Sequence, residues 1–225
     1  MKLPILCYHK VGPIAEEGRS LNIEPSQLDA HVRFFARRNA RFALARDLAG
    51  DWSGLGVCLT FDDAYSSTMH YGVEVLNRNG AKGTFYAVPT LVGQSSSWDG
   101  ESARPLADWP ALLAAQAAGH EIGNHSHTHP HLPQVDATPE VALAHDDLIT
   151  HGIQPGSFCY PYGHWNDETR AAVVASGYKV GMALGKRPAR PSDDRLALPR
   201  VVMACSDGIA MLIYKLYLKP LVRRG

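Results

Sequence analysis

The chain has 225 residues, 45% of them hydrophobic and 20% charged, enough for one large α/β domain or two small ones and typical of a soluble globular protein. Its 22 Lys plus Arg balance its 22 Asp plus Glu, so no electrostatic excess points to nucleic acid as a partner. No apolar run reaches membrane-spanning length.

Met1-Lys2 is followed at once by Leu3-Pro4-Ile5-Leu6, without the apolar stretch of an export signal, which predicts a cytoplasmic protein. The four cysteines, Cys7, Cys58, Cys159 and Cys205, form no CxxC pair and each lies in an apolar stretch. They read as buried thiols of a reducing compartment.

In chain order, Ile5 to Tyr8 reads as a first buried strand that ends at His9. Pro25 opens an amphipathic helix with Leu28, Val32 and Phe35 on one face. Phe42 to Leu44 suggests a short strand. Cys58-Leu59-Thr60-Phe61 is a buried strand, and two adjacent acids, Asp62 and Asp63, stand where it should end. Ser66 or Ser67 is placed to cap the next helix, which carries Met69, Val73 and Leu76 and stops at Gly80. Gly83 to Val88 is strand-like, and the Ser/Gly-rich stretch from Gly93 to Ser102 reads as an exposed loop.

Asp108 is placed to cap a helix running to Ala118, and Glu121 to Asn124 is a short strand leading into a histidine cluster. Thr138-Pro139 starts a helix with Val141, Ala144 and Leu148 inward. Phe158 to Tyr160 is a strand closed by Pro161-Tyr162-Gly163, and Asn166 caps a helix that stops at Gly177. Tyr178 to Ala183 and Leu198 to Met203 read as two more strands. Strands alternating with helices along the whole length, without repeat or linker, predict parallel βαβ units in one domain. With about seven strands, a barrel closed or nearly closed on itself is favoured over an open sheet. In such barrels function gathers at the C-terminal strand ends, where His9, Asp62-Asp63, His125 and Tyr162 all fall.

Five of the eleven histidines lie between His120 and His131. His125 and His129 are four apart. On a helical turn they would share a face, whereas in an extended chain His125, His127, His129 and His131 would all do so. Two neighbouring carboxylates are costly to bury unless something positive sits beside them. One Asp and two His would make a three-ligand metal site with open positions, the pattern of a catalytic ion, and would leave the other Asp to serve as a base.

Thr60-Phe61-Asp62-Asp63 and Gly119-His120-Glu121-Ile122-Gly123-Asn124-His125-Ser126-His127-Thr128-His129-Pro130 resemble the first two motifs of the polysaccharide deacetylases. Phe158-Cys159-Tyr160-Pro161-Tyr162-Gly163 is similar to the third, and Gly83-Thr84-Phe85-Tyr86 to a strand of the same family. Ile5-Leu6-Cys7-Tyr8-His9 resembles the opening strand of the branch that includes biofilm exopolysaccharide deacetylases. The resemblance runs from residue 4 to about 203.

It implies a distorted (β/α) barrel of seven or eight mostly parallel strands. It further implies one divalent metal ion, usually Zn2+, on Asp63, His125 and His129, with Asp62 as general base and the Tyr162 backbone N–H stabilising the oxyanion. Tyr160, Pro161, Tyr162 and His164 would contact substrate. Two departures stand out. Cys159 occupies a position where many members carry an arginine that tethers the base, and Arg200 is the candidate replacement. The late histidine that usually acts as general acid is absent, so His9 takes that role here, with His164 as the alternative. His127 and His131 read as exposed and His120 as scaffold, while His31, His70, His145 and His151 carry no motif.

The implied reaction is removal of the N-acetyl group from an amino sugar in a glycan or glycan precursor. The alternatives are deformylation or deacetylation of a lipid-linked or nucleotide-linked sugar, and a catalytically inactive glycan-binding barrel. Residues 206–225 form an amphipathic, basic terminal segment, with Ile209, Leu212, Ile213 and Leu216 on one face and Lys215, Lys219, Arg223 and Arg224 beside it. It reads as a helix docked on the barrel. The alternative is peripheral contact with the inner membrane surface, which Pro220 limits by shortening the helix.

Overall fold

Short apolar runs alternate with amphipathic helices, and in the computed structural model, which describes residues 2–219, those runs lie side by side. The strands are β1 (Ile5–Tyr8), β2 (Lys10–Val11), β3 (Asn22–Ile23), β4 (Arg41–Ala43), β5 (Leu55–Phe61), β6 (Thr84–Ala87), β7 (Glu121–Asn124), β8 (Phe158–Cys159), β9 (Gly181–Gly185) and β10 (Leu198–Val202). β1 and β5 to β10 form a ring of seven parallel strands. It runs β1-β10-β9-β8-β7-β6-β5 and closes by pairing β1 with β5. β4 adds alongside the first half of β5, with Ala43 against Cys58, on the edge that β6 takes over at Thr60. β2 and β3 form a separate two-stranded pairing.

Ile5, Cys58, Tyr86, Cys159, Met182 and Leu198 come from six different strands and meet in one buried cluster, which fills the barrel. Leu6, Leu59 and Phe85 belong to a second cluster with Leu28, Val32 and Phe35 of the helix Pro25–Ala36, which packs outside. The strand period of two sends alternate side chains to these two layers.

Helix ends follow capping chemistry. Asp108 accepts the Ala111 N–H at 2.9 Å and starts Trp109–Ala117. Asn166 and Thr169 form a reciprocal capping box at the start of Asp167–Ala175. The helix expected from Thr138-Pro139 begins at Ala137 instead, because Asp136 caps it through the Thr138 N–H at 2.9 Å. Neither Ser66 nor Ser67 acts as a cap. The Tyr65 carbonyl already accepts the Met69 N–H at 3.0 Å, so Ser67 sits inside the turn with helical dihedrals. A π-turn over Thr68–Gly72 then runs into the helix Val73–Arg78. The strand expected from Tyr178 starts at Gly181, since the Tyr178 N–H still bonds the Val173 carbonyl and closes the preceding helix.

Near the C-terminus, Ile209–Ile213 is helical and Tyr214–Leu218 continues as a π-turn. Leu212 and Leu216 are buried, Ile209 and Ile213 pack on the same core, and Lys215 bonds Asp207 Oδ2 at 2.6 Å and the Val202 carbonyl at 3.0 Å. The apolar face is therefore spent on the barrel and is not available to lipid. Pro220, Arg223 and Arg224 lie outside the described residues. No described helix is long and apolar enough to cross a membrane. Cys7, Cys58 and Cys159 are buried free thiols, as expected, but Cys205 is only half-buried because it sits in the loop after β10.

Candidate active site

His9 follows β1, Asp62-Asp63 follow β5, His125 follows β7 and Tyr162 follows β8, so parallel strand direction brings all of them to one rim. Together with Leu21, Tyr65, Trp98, Asp99, His129, Gly163 and Leu184 they line a cavity of about 140 Å³, roughly the space of four or five waters.

Asp63, His125 and His129 converge at its floor, with one ligand-capable atom from each lying within 4.8 Å of the others. His125 Nε2 and His129 Nε2 are each 3.3 Å from Asp63 Oδ1, yet this buried oxygen receives no hydrogen bond. His125 Nδ1 faces the Cys159 carbonyl at 2.8 Å. A carbonyl only accepts, so a proton sits on Nδ1, and Nε2 is the nitrogen that can present a lone pair toward Asp63. Burial pushes the His129 pKa below the ordinary imidazole value, which favours a neutral, lone-pair-bearing ring. Lone pairs held against a carboxylate oxygen repel unless a cation lies among them. Atoms sharing a tetrahedral ion at bond lengths of about 2.0–2.1 Å are separated by about 3.3–3.4 Å, which is the spacing seen. The donor set therefore fits a divalent metal ion that favours nitrogen and oxygen.

Asp62 is arranged differently. Arg200 on β10, fully buried, donates Nη1–H to Asp62 Oδ1 at 2.6 Å and Nη2–H to Oδ2 at 2.8 Å. Its Nε is fixed by the Ala183 carbonyl at 3.1 Å. Burial alone would raise the Asp62 pKa, but the charge and hydrogen bonds of Arg200, helped by His125 and His9, bring it down to about 2. The Cys7 and Cys159 thiols close the remaining space at 3.4 and 3.6 Å from the carboxylate, and His9 Nε2 stands 3.9 Å from Oδ2.

The histidine loop is not the helical turn or the extended strand that its spacing allowed. Ser126 (φ 67°) and His129 (φ 62°) both adopt the left-handed region, as do Asp63 (φ 69°), Ala64 (φ 49°) and Tyr162 (φ 58°). Such conformations cost of order 1–3 kcal/mol each and persist only where surroundings impose them. Here Asn124 Oδ1 accepts the Ser126 N–H at 2.8 Å and Ser126 Oγ accepts the His129 N–H at 3.1 Å. Glu140, from the helix Ala137–Thr150, accepts the N–H groups of His127 and Thr128 at 3.0 and 2.9 Å and the Thr128 hydroxyl at 2.8 Å. His127 Nε2 pairs with Asp147 at 3.0 Å.

At the third motif, Tyr162 is 39% exposed and its ring stacks on His131 at 4.0 Å. Gly163 and His164 direct their N–H groups to the Tyr160 and Pro161 carbonyls, which leaves the Tyr162 N–H outside the turn's own bonds. Gly163 has φ +69°, and a Cβ there would lie 2.4 Å from Leu184 Cγ, so only glycine fits. Tyr160 and Pro161, expected to contact substrate, are instead buried. The Tyr160 ring belongs to the cluster of Phe158, Val173 and Tyr178, because the strand's alternation turns it away from the cavity. His164 is exposed and lies beside His131, outside the cavity lining.

The stretch expected as an exposed loop folds back over the site. Ser96 is buried, Trp98 stacks on the His129 ring at 3.8 Å, and Asp99 Oδ2 accepts hydrogen bonds from Tyr65 and Ser96 hydroxyls, both at 2.7 Å. Trp98, Asp99, Tyr65 and Glu140 were missed in the sequence. The one signal among them was a lone tryptophan inside an otherwise polar loop.

The polysaccharide deacetylase family model matches residues 53–181. A chitooligosaccharide deacetylase from Bradyrhizobium is 30% identical over 194 residues, covering 78% of this chain and 78% of that protein. The Streptococcus pyogenes deacetylase PplD, solved in complex with acetate, superposes with a TM-score of 0.81 at 21% identity, covering 96% of this chain and 98% of that one. IcaB from Ammonifex degensii superposes at 0.77 with 23% identity, covering 90% and 91%.

Proposed function

The chain belongs to the polysaccharide deacetylase family, and from that premise we propose that it is a metal-dependent hydrolase that removes the N-acetyl group from an amino sugar of a glycan or glycan precursor. The observation that carries this reading is the convergence of Asp63, His125 and His129 on one point of a cavity that also holds a separately tethered carboxylate, Asp62.

Asp63, His125 and His129 would hold the metal ion, most simply zinc given two nitrogens and one oxygen. When bound, that ion polarises the amide carbonyl and can lower the pKa of water to about 7. The chain's own groups do the rest. Asp62, kept ionised by Arg200, accepts a proton from the attacking water, whose oxygen bonds to the acetamide carbon. The Tyr162 N–H, unused by its own turn, donates to the carbonyl oxygen as negative charge develops there. His9, beside Asp62 and facing the cavity, donates the proton that the departing nitrogen needs as the C–N bond breaks. The products are acetate and a free amine. Trp98 over His129 limits water access from above.

The described fold supports treating residues 1–225 as a single catalytic unit with 206–225 as its terminal segment. The free, buried Cys7, Cys58 and Cys159 support a reducing compartment, the cytoplasm, as its location.

The deciding experiment is amine release from N-acetylglucosamine oligomers by wild type and Asp62→Asn, each with one equivalent of zinc and again with chelator. We expect zinc binding to survive the substitution while release falls by about 10²–10⁴. Equal release from both proteins would refute Asp62 as the base, whereas no release from either with any acetylated or formylated amino sugar would leave a glycan-binding barrel in its place.

A further inference from the structure

We propose that His131 and His164 form a second, weaker site for a divalent transition-metal cation at the mouth of the catalytic cavity. Their Nδ1 atoms face each other at 3.2 Å, with the rings 5.3 Å apart and inclined by only 25°. Two neutral imidazoles in this pose have two options. One Nδ1 donates a proton to the other, or both direct lone pairs at a shared cation. The separation lies close to the roughly 3.3 Å of two nitrogens on a tetrahedral zinc ion and above the about 2.9 Å of adjacent nitrogens on a square-planar ion.

The two ligands are fixed by different loops. His131 directly precedes the short helical turn Leu132–Gln134, and its carbonyl is held by the Gln134 N–H at 2.8 Å. His164 ends the Pro161–Gly163 turn, with its N–H on the Pro161 carbonyl at 3.2 Å. Tyr162 packs on the His131 ring at 4.0 Å and 13°, which holds that imidazole upright. Both histidines reach solvent, so water completes the coordination. Imidazole pairs of this kind take Cu2+, Ni2+ and Zn2+ in preference to Mg2+ or Ca2+.

Tyr162 lines the catalytic cavity and touches His129 on one side and His131 on the other. A cation on His131 and His164 therefore stands where a glycan must pass, and excess metal inhibits without displacing the ion on Asp63. This inhibitory consequence rests on the hydrolase reading above; the binding itself does not.

The test is calorimetric titration of chelator-stripped protein with Zn2+. Wild type shows a tight and a weak step. His131→Gln keeps the tight step and loses the weak one, and Asp63→Asn does the reverse. Cu2+ added to the Asp63→Asn/His125→Gln/His129→Gln variant, which keeps none of the first site's three side chains, gives an electron paramagnetic resonance spectrum split by two imidazole nitrogens, and the splitting disappears when His131→Gln is added. Amine release by wild type falls as zinc exceeds one equivalent, and release by His131→Gln does not. A single step in wild type that only Asp63→Asn removes overturns the proposal, as does a weak step unchanged in His131→Gln. A weak step that His131→Gln removes, in a protein without the tight one, sinks the Asp63 assignment and supports this one.

Discussion

Arg200 grips Asp62 by both arms of its guanidinium, at 2.6 and 2.8 Å, from a strand 138 residues further along the chain. The pair is buried, so the partner left behind when one is removed is a poorly solvated charge. Arg200→Met should lower the unfolding free energy by about 3–5 kcal/mol, and Arg200→Lys by less, since one charge stays but the fork is lost. Amine release should fall by about a hundredfold in the lysine variant, with zinc affinity held. Urea titration and metal calorimetry on the same samples check both halves.

Glu140 lies outside the cavity lining, yet three hydrogen bonds from the segment between the proposed ligands His125 and His129 end on it. It holds a loop whose backbone is strained at Ser126 and His129. Glu140→Ala should weaken zinc binding by about tenfold or more, with Glu140→Gln intermediate because one amide oxygen can still accept. Competition against a chromogenic chelator measures it, and equal affinity in all three proteins would remove the role.

His120 is a pH-sensitive strut. Its Nδ1 accepts the Gly83 N–H at 3.2 Å, so Nε2 carries the proton toward Asn77 Oδ1, also at 3.2 Å. Burial, with a smaller effect from Lys82, lowers its pKa from 6.5 to about 4. Between those values the unfolded chain binds more protons than the folded one. The stability His120 contributes is therefore complete above pH 6.5 and drains away as pH falls toward 4. From pH 7.5 to 5 this amounts to about 2 kcal/mol. His120→Gln should lose that much less over the same interval in urea unfolding.

Trp98 lies flat on His129 at 3.8 Å, forming one wall of the cavity. Trp98→Ala removes an aromatic surface, including its stack on His129, while leaving the side chains of Asp62, Asp63, His125 and His129 themselves unchanged. We expect KM for N-acetyl oligosaccharides to rise up to about tenfold with kcat changed less, measured by initial rates of amine release. A kcat collapse at unchanged KM would show that the ring acts on the chemistry instead.

Periodicity and cap residues carried most of the fold. β1, β7 and the helix at Pro25 begin where their residues said they would, because each signal is local. The misses share a cause. Ser67 loses its capping role to a carbonyl two residues earlier, and β9 slides because Tyr178 is still bonded to the helix before it. Asp62, Asp63, His125 and His129 were legible as a group from motif and strand direction together. The left-handed turns that aim them were not, since nothing in Asp63-Ala64 or Ser126 announces φ above zero. Trp98 and Asp99 were hidden for a different reason: a polar loop looks solvated until its tertiary partners, Tyr65 and His129, are known. Tyr160 went the other way, because a motif residue next to Tyr162 is turned by strand alternation into the core.

β1 shares hydrogen bonds with β5 and with β10, so the ring cannot shut before the last strand is made. That strand also brings the guanidinium. A chain still emerging from the ribosome, or cut short before residue 198, has an open seam and an uncompensated carboxylate at its heart. The proposed hydrolytic competence therefore waits on β10, the strand that both shuts the ring and supplies the counter-charge.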